Sequence, residues 1–283
     1  MNRDINYIFK SIEPNLKLAI SIPDTSLAEE PIGLDILLEH LDARKDKIRI
    51  TGNERAKGFI LIGPPGTGKT MFARIIGRRT GLLTVEFCIS SLINTPYGEI
   101  ENRFSQILSV LEAMSPNVVL IDEFWNFFED SSKMERRTIV RLSELLLSWF
   151  SDNLYPNFIV VTSNNIQRFG DIGLAIIRSG CFDAAFFIDF PSFESRRRML
   201  KRWLSKDNDL ADQIAGMTEK FSGADLHSII KQAMAKHEND ELTLNILKHE
   251  IELKWLKVIN VYDEFQELRR WGRMHCKPAG YFE

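Results

Sequence analysis

The chain has 283 residues, 44% hydrophobic and 27% charged, the proportions of an ordinary folded protein, which excludes a disordered, fibrous or low-complexity chain. Thirty-six Lys and Arg against 39 Asp and Glu leave a net charge of -3, which argues against a protein built to coat nucleic-acid phosphates and allows only a local basic patch. Cys88, Cys181 and Cys276 are odd in number and far apart, with no C-x-x-C pair, so neither a disulfide framework nor a zinc site is expected and a reducing compartment fits best.

In chain order, residues 1–30 read as a short arm with one alternating piece, Leu18, Ile20 and Ile22, that Pro23 ends. The start carries Asp4 and no apolar core of signal-peptide length, and no run of about 18 apolar residues occurs. The expected location is the cytoplasm or an equivalent organelle stroma or matrix, with no membrane span.

From Gly58 the pattern turns regular. Apolar runs at 59–62, 82–89 and 118–121 alternate with helical stretches, one of which places Phe104, Ile107, Leu108 and Leu111 on one face. This alternation predicts a parallel sheet, with 118–121 too apolar to be an edge. Leu142, Leu145, Leu146 and Trp149 mark a further helix, followed by strands at 158–162 and 186–188. Beyond Pro191 strand signals stop, and 192–204, 209–219, 224–237 and 242–271 all read as helical, the third with Leu226, Ile229, Ile230 and Ala233 on one stripe. Two parts are expected after the arm: an α/β domain over 31–191 and a small all-α domain with a helical tail over 192–283.

The chemistry begins at Gly63-Pro64-Pro65-Gly66-Thr67-Gly68-Lys69-Thr70, which fits G-x-x-x-x-G-K-[ST] directly after an apolar strand and before a helix. Glycines let backbone N–H groups curl around phosphate oxygens and the helix N-terminus adds its positive end. Lys69 reaches the β/γ-phosphates of ATP and the Thr70 hydroxyl ligates Mg²⁺. Pro65, Gly66, Thr67, Gly68 and the following Met71 complete the expected nucleotide contacts. The run Val118-Val119-Leu120-Ile121-Asp122-Glu123 ends a buried strand in two carboxylates, which is costly unless they meet a cation or move a proton. Asp122 would serve the Mg²⁺ shell, and Glu123 would act as general base on the attacking water. The fold class implied is a P-loop NTPase: a three-layer α/β/α parallel sheet followed by a small all-α lid.

From about Pro31 to Lys236 the sequence resembles the AAA family of ATPases. Pro31-Ile32-Gly33 resembles the segment that touches adenine there, making Ile32 and Gly33 candidate base contacts. Thr162-Ser163-Asn164 is similar to the family's first sensor, which implies that Asn164 lies near the attacking water. The stretch 174–183 is similar to the one that carries two arginine fingers; Arg178 keeps the first, and Cys181 stands at the second. Phe221-Ser222-Gly223-Ala224-Asp225 resembles the second sensor, where Gly223 and Ala224 approach the nucleotide from the lid. The segment 267–273 is similar to the C-terminal end of a small bacterial and plastid subgroup of single-ATPase-domain proteins.

The resemblance implies a homo-oligomeric ring, usually a hexamer, in which arginine from a neighbour completes each ATP site and hydrolysis drives a protein substrate through the pore. With one finger of the pair replaced, turnover could be slow. Tyr97 stands one residue off the family's pore-loop aromatic and reads equally as a substrate grip or as a packed loop side chain. Residues 130–137 read either as a basic second pore loop or as a solvated helix start. His275-Cys276 is expected in a flexible tail, and Phe124, Trp125, Phe127 and Phe128 as core or interface packing. The short arm leads to the expectation of an adaptor or dedicated partner protein. Two other functional classes stay in view. One is a weakly hydrolysing nucleotide-binding scaffold. The other is a nucleic-acid-directed initiator or clamp-loader type, against which the charge and the Gly-Ala-Asp lid both weigh.

Overall fold

The computed structural model describes residues 18–21, 30–87, 99–125, 144–151, 154–204, 208–236 and 242–281. Its strands are β1 (Leu18–Ser21), β2 (Gly58–Ile62), β3 (Leu83–Phe87), β4 (Asn117–Ile121), β5 (Asn157–Ser163), β6 (Ala184–Phe187) and β7 (Lys277–Pro278). They form one sheet in the order β1-β3-β4-β5-β2-β6-β7. Six strands run parallel, and β1 pairs antiparallel with β3 from Leu18 opposite Phe87 to Ser21 opposite Thr84. Every residue of β2, β4 and β5 is buried. That is why these strands read as unbroken apolar runs: both faces are covered, so no polar alternation is needed.

The labelled helices are α1 (Asp35–Asp42), α2 (Lys69–Thr80), α3 (Ile100–Ala113), α4 (Gly170–Arg178), α5 (Phe193–Trp203), α6 (Asn208–Met217), α7 (Gly223–Lys236), α8 (Leu244–Glu264) and α9 (Gln266–His275). The apolar stripe of α3 buries Phe104, Ile107 and Leu111 as its spacing requires. Helix α5 starts where Ser192 accepts the Ser195 N–H at 3.1 Å, a serine cap that satisfies one of the first-turn donors.

The chain divides into two compact units. One contains β1 and residues 40–61 and 70–185; the other contains 30–39, 62–69 and 186–283. In the first, Phe124 stacks edge-on against Trp125 with centroids 4.8 Å apart, and Phe150 lies 5.1 Å from Phe182. Phe124 and Trp125 are thus core packing. In the second, the stripe of α7 is buried in one cluster with Phe221, with Ile214 of α6 and with Leu247 and Ile251 of α8. Each leucine, isoleucine or phenylalanine among them contributes roughly 1.5–3 kcal/mol on removal from water.

Three expectations need correction. A strand does follow Pro191: β7 pairs in parallel with β6, Phe186 opposite Lys277 and Phe187 opposite Pro278. With only two residues it carries no periodicity that a sequence pattern could reveal. The long helix expected over 242–271 is two helices that meet at Phe265, which closes α8 and opens α9. The segment after His275 is not a loose tail. Ala279 is buried, and burial pushes the half-buried Cys276 thiol up to about 12, so it stays protonated. Cys88, Tyr97, Phe127, Phe128 and residues 130–137 lie outside the described residues.

Candidate nucleotide site

The loop between β2 and α2 is shaped by its glycines and lysine. Gly66 has φ +78, the left-handed region that an L side chain rarely adopts. A Cβ there would sit 2.5 Å from the Ser222 hydroxyl and 3.0 Å from the Ala224 methyl, so the position demands glycine on two counts. Lys69 is buried, and its Nζ donates to the carbonyls of Gly63 and Pro64 at 2.8 Å each, folding the ammonium over the loop. Thr67 Oγ1 donates to Pro64 O at 2.9 Å.

Helix α7 meets this loop. Ser222 and Asp225 cap its first turn reciprocally: Asp225 N–H donates to Ser222 Oγ at 3.2 Å and Ser222 N–H to Asp225 Oδ2 at 3.1 Å. The cap fixes where the helix starts, and Ala224 N–H then donates to Gly66 O at 3.1 Å. Gly66, Gly223 and Ala224, chosen from separate motifs, are therefore neighbours.

The acidic strand end is equally ordered. Thr70 Oγ1 donates to both oxygens of Asp122, at 3.0 Å each. Thr162, at the end of the adjacent β5, also donates to Asp122 Oδ1 and accepts the Glu123 N–H at 2.9 Å. Phe124 N–H reaches Thr162 O at 3.1 Å. Glu123 has φ 49, a left-handed conformation that costs an ordinary residue roughly 1–2 kcal/mol. The bonds to Thr162 on either side of the turn hold it there, and such held strain concentrates at functional positions. Asn164 follows directly after β5, half-buried.

Arg178 is exposed at the C-terminal end of α4. The turn after it is anchored at several points. Ser179 Oγ donates to Ile176 O at 2.8 Å and accepts Cys181 N–H at 3.2 Å; Lys57 Nζ donates to Gly180 O at 2.6 Å. Asp183 Oδ2 accepts the N–H groups of Lys57 and Gly58 at 2.8 and 2.9 Å. Cys181 is buried, its sulfur 3.2 Å from Ser151 Oγ, so this side chain faces its own core. Replacing Asp183 with alanine leaves two backbone donors without their acceptor and is expected to lower stability by about 2 kcal/mol. A urea midpoint that does not move would show that water takes over both donors.

Ile32, Gly33, Thr67 and Gly223 line a cavity of about 830 Å³, together with Met199 and residues 187–193 and 278–281. Pro65 is exposed, Gly68 half-buried at φ +100, and Met71 exposed on the first turn of α2. Three features escape a sequence reading. Thr162 reads there only as part of a sensor segment, although a polar residue ending an apolar strand next to the carboxylate strand is a usable signal. Asp183 and the 278–281 segment give no pattern of their own.

The donor set suits a nucleotide with magnesium. A hydroxyl and a carboxylate offer hard oxygens, and among the described residues no group of three His, Cys, Asp or Glu forms a metal cage. Magnesium commonly takes one or two protein carboxylates and completes its octahedron with phosphate and water, so the pair fits. Strand order, phosphate loop and helical region together define a P-loop NTPase fold of the AAA type.

Residues 59–190 match the model of the "ATPase family associated with various cellular activities (AAA)". That stretch is thus an AAA domain, of a family whose proteins are in general ATPases. It is 33% identical over 213 residues to the uncharacterized AAA domain-containing protein ycf46 of Trieres chinensis, covering 71% of this chain and 42% of that one. It is 30% identical over 191 residues to the proteasome-activating nucleotidase of Methanocella arvoryzae, 64% of this chain and 45% of that one. The chain spans about half the length of the curated ycf46 relatives it matches. The crystal structure of the FIGL-1 AAA domain in complex with ADP superposes with a TM-score of 0.68 at 21% identity, over 92% of this chain and 96% of that one, and shares its fold. Among the described residues no helix is long and apolar enough to cross a membrane.

Proposed function

We propose that the protein binds and hydrolyses Mg-ATP and, assembled as a homo-oligomeric ring, a hexamer, uses the turnover to remodel, unfold or disassemble a protein substrate or complex. The observation that carries this reading is the junction of Thr70, Asp122, Thr162 and Glu123, in which a hydroxyl and a carboxylate meet and a second carboxylate is held in a strained turn beside them. The backbone N–H groups of Gly66, Thr67 and Gly68 and the Lys69 ammonium bind the phosphates and Pro65, which has no N–H to give, shapes the loop beside them, while Ile32 and Gly33 hold the base. Thr70 and Asp122 hold magnesium, which supplies charge neutralisation on the phosphates when bound. Glu123 takes the proton of the attacking water, and Asn164 orients that water. Gly223 and Ala224 close the site from the lid, Met71 borders it, and Arg178 serves the ATP of a neighbouring subunit. Tyr97 grips the substrate. Support for a protein substrate comes from one relative, the proteasome-activating nucleotidase, whose name joins a nucleotidase to a protein partner.

Because Arg178 acts between subunits, specific ATPase activity is expected to rise several-fold as protein concentration passes through the assembly range. Activity proportional to protein over the whole range, with a single species by light scattering, would remove the ring from this reading. The burial of Cys181 favours a second reading, a slowly hydrolysing scaffold, since a short uncharged side chain turned inward stands where a second finger would reach out. Tight ATP binding without Glu123-dependent turnover would select it.

A further inference from the structure

We propose that residues 277–281 belong to the nucleotide site: they form its base-side wall and hold the adenosine end of a nucleoside di- or triphosphate. The inference rests on the nucleotide-binding reading above and goes beyond it, since those residues lie outside every motif that led there.

Three stitches hold the segment. Strand β7 lies along β6, and Ala279 N–H continues the ladder to Phe187 O at 3.1 Å. On its other side Ala279 O accepts the Leu37 N–H at 3.0 Å. That donor belongs to the first turn of α1, where no intrahelical acceptor exists, so the segment satisfies a group that the helix leaves open. Tyr281 Oη donates to Glu39 Oε1 at 2.6 Å. Between these bonds Gly280 lies flat on Gly33: a Cβ at Gly280 would be 2.2 Å from Gly33 O. The close approach requires glycine and brings the segment against the very residue expected to read the base.

The same residues face the cavity. Pro278, Ala279, Gly280 and Tyr281 line it together with Ile32 and Gly33. The segment presents backbone and the apolar groups of Pro278 and Ala279, which suit a base and ribose, whereas phosphate charge is served by the loop at Thr67 and Lys69. A bound base adds contacts to a segment otherwise tied down by a few hydrogen bonds, so binding and ordering reinforce each other.

The test compares ADP with inorganic tripolyphosphate, which has no base, on the full chain and its Gly280→Val variant by calorimetry or by displacement of a fluorescent ADP. The side chain at position 280 must push the segment off Gly33. The expected result is a loss of at least tenfold in ADP affinity with tripolyphosphate affinity within about twofold of the parent. Equal loss for both ligands, or no loss for either, overturns the proposal. A parent protein that binds neither ligand would instead sink the nucleotide reading, and this one with it. A second measurement needs no variant: in the parent, hydrogen exchange at Leu37 and Ala279 should slow on addition of ADP and stay unchanged with tripolyphosphate. Exchange that ignores ADP, or slows equally with both, would also overturn it.

Discussion

Glu123→Gln is expected to lower ATP turnover by about 10²- to 10⁴-fold, the loss typical of a removed general base, while ATP still binds. The substitution keeps shape and length, so the Glu123 N–H bond to Thr162 and the left-handed turn survive. What goes is a basic oxygen: an amide accepts a hydrogen bond from water but does not take its proton. Asp122 and Thr70, which hold the phosphate-side partners, are untouched. Single-turnover hydrolysis with equilibrium ATP binding separates the two effects. Turnover within tenfold of the parent, with binding intact, would move the base elsewhere; loss of binding as well would mean that the turn had collapsed.

Arg178→Ala is expected to cost about 10³- to 10⁵-fold in turnover, the range for an arginine finger in phosphoryl transfer. Arg178 stands exposed at a helix end, and Asp183, Lys57 and Ser179 anchor the turn behind it, an arrangement that presents a side chain outward from its own chain. A finger used by a neighbour has a signature in mixtures. Subunits with Lys69→Ala lose their own phosphate grip yet keep Arg178, whereas Arg178→Ala subunits keep the grip. Mixing the two inactive variants should restore part of the activity. No restoration, together with intact assembly, would show that Arg178 works within its own subunit or not at all.

The parts of this site that repeat a fixed spacing are legible in the sequence. Gly63 to Thr70 announce a phosphate loop because a tight turn, a lysine and a helix start must fall at set intervals, and the apolar run ahead of Asp122 announces a buried strand. The pairing of Gly66 with Ala224 is implied only through a resemblance, since no local pattern says which helix returns to which loop. The segment at 277–281 stays hidden for a different reason. Its strand is two residues long, and its role depends on a close approach between Gly280 and Gly33, residues far apart along the chain, which neither composition nor periodicity encodes. The break at Phe265 is equally silent, because helical periodicity runs through it almost without a shift.

The two short strands at the rims of the sheet have a further meaning. A strand edge offers a row of open backbone groups, and the longer and more apolar it is, the better a template it makes for uncontrolled pairing with another chain. Strand β6, Ala-Ala-Phe-Phe, is such a template, and β7 occupies its open side. Strand β1 does the same for β3 at the far rim with only four residues, run antiparallel. Among the described residues both rims thus end in short strands, which make poor templates. Residues 277–278 cover an apolar strand edge while Pro278 also borders a cavity, and a chain trimmed before Lys277 would lay that edge bare.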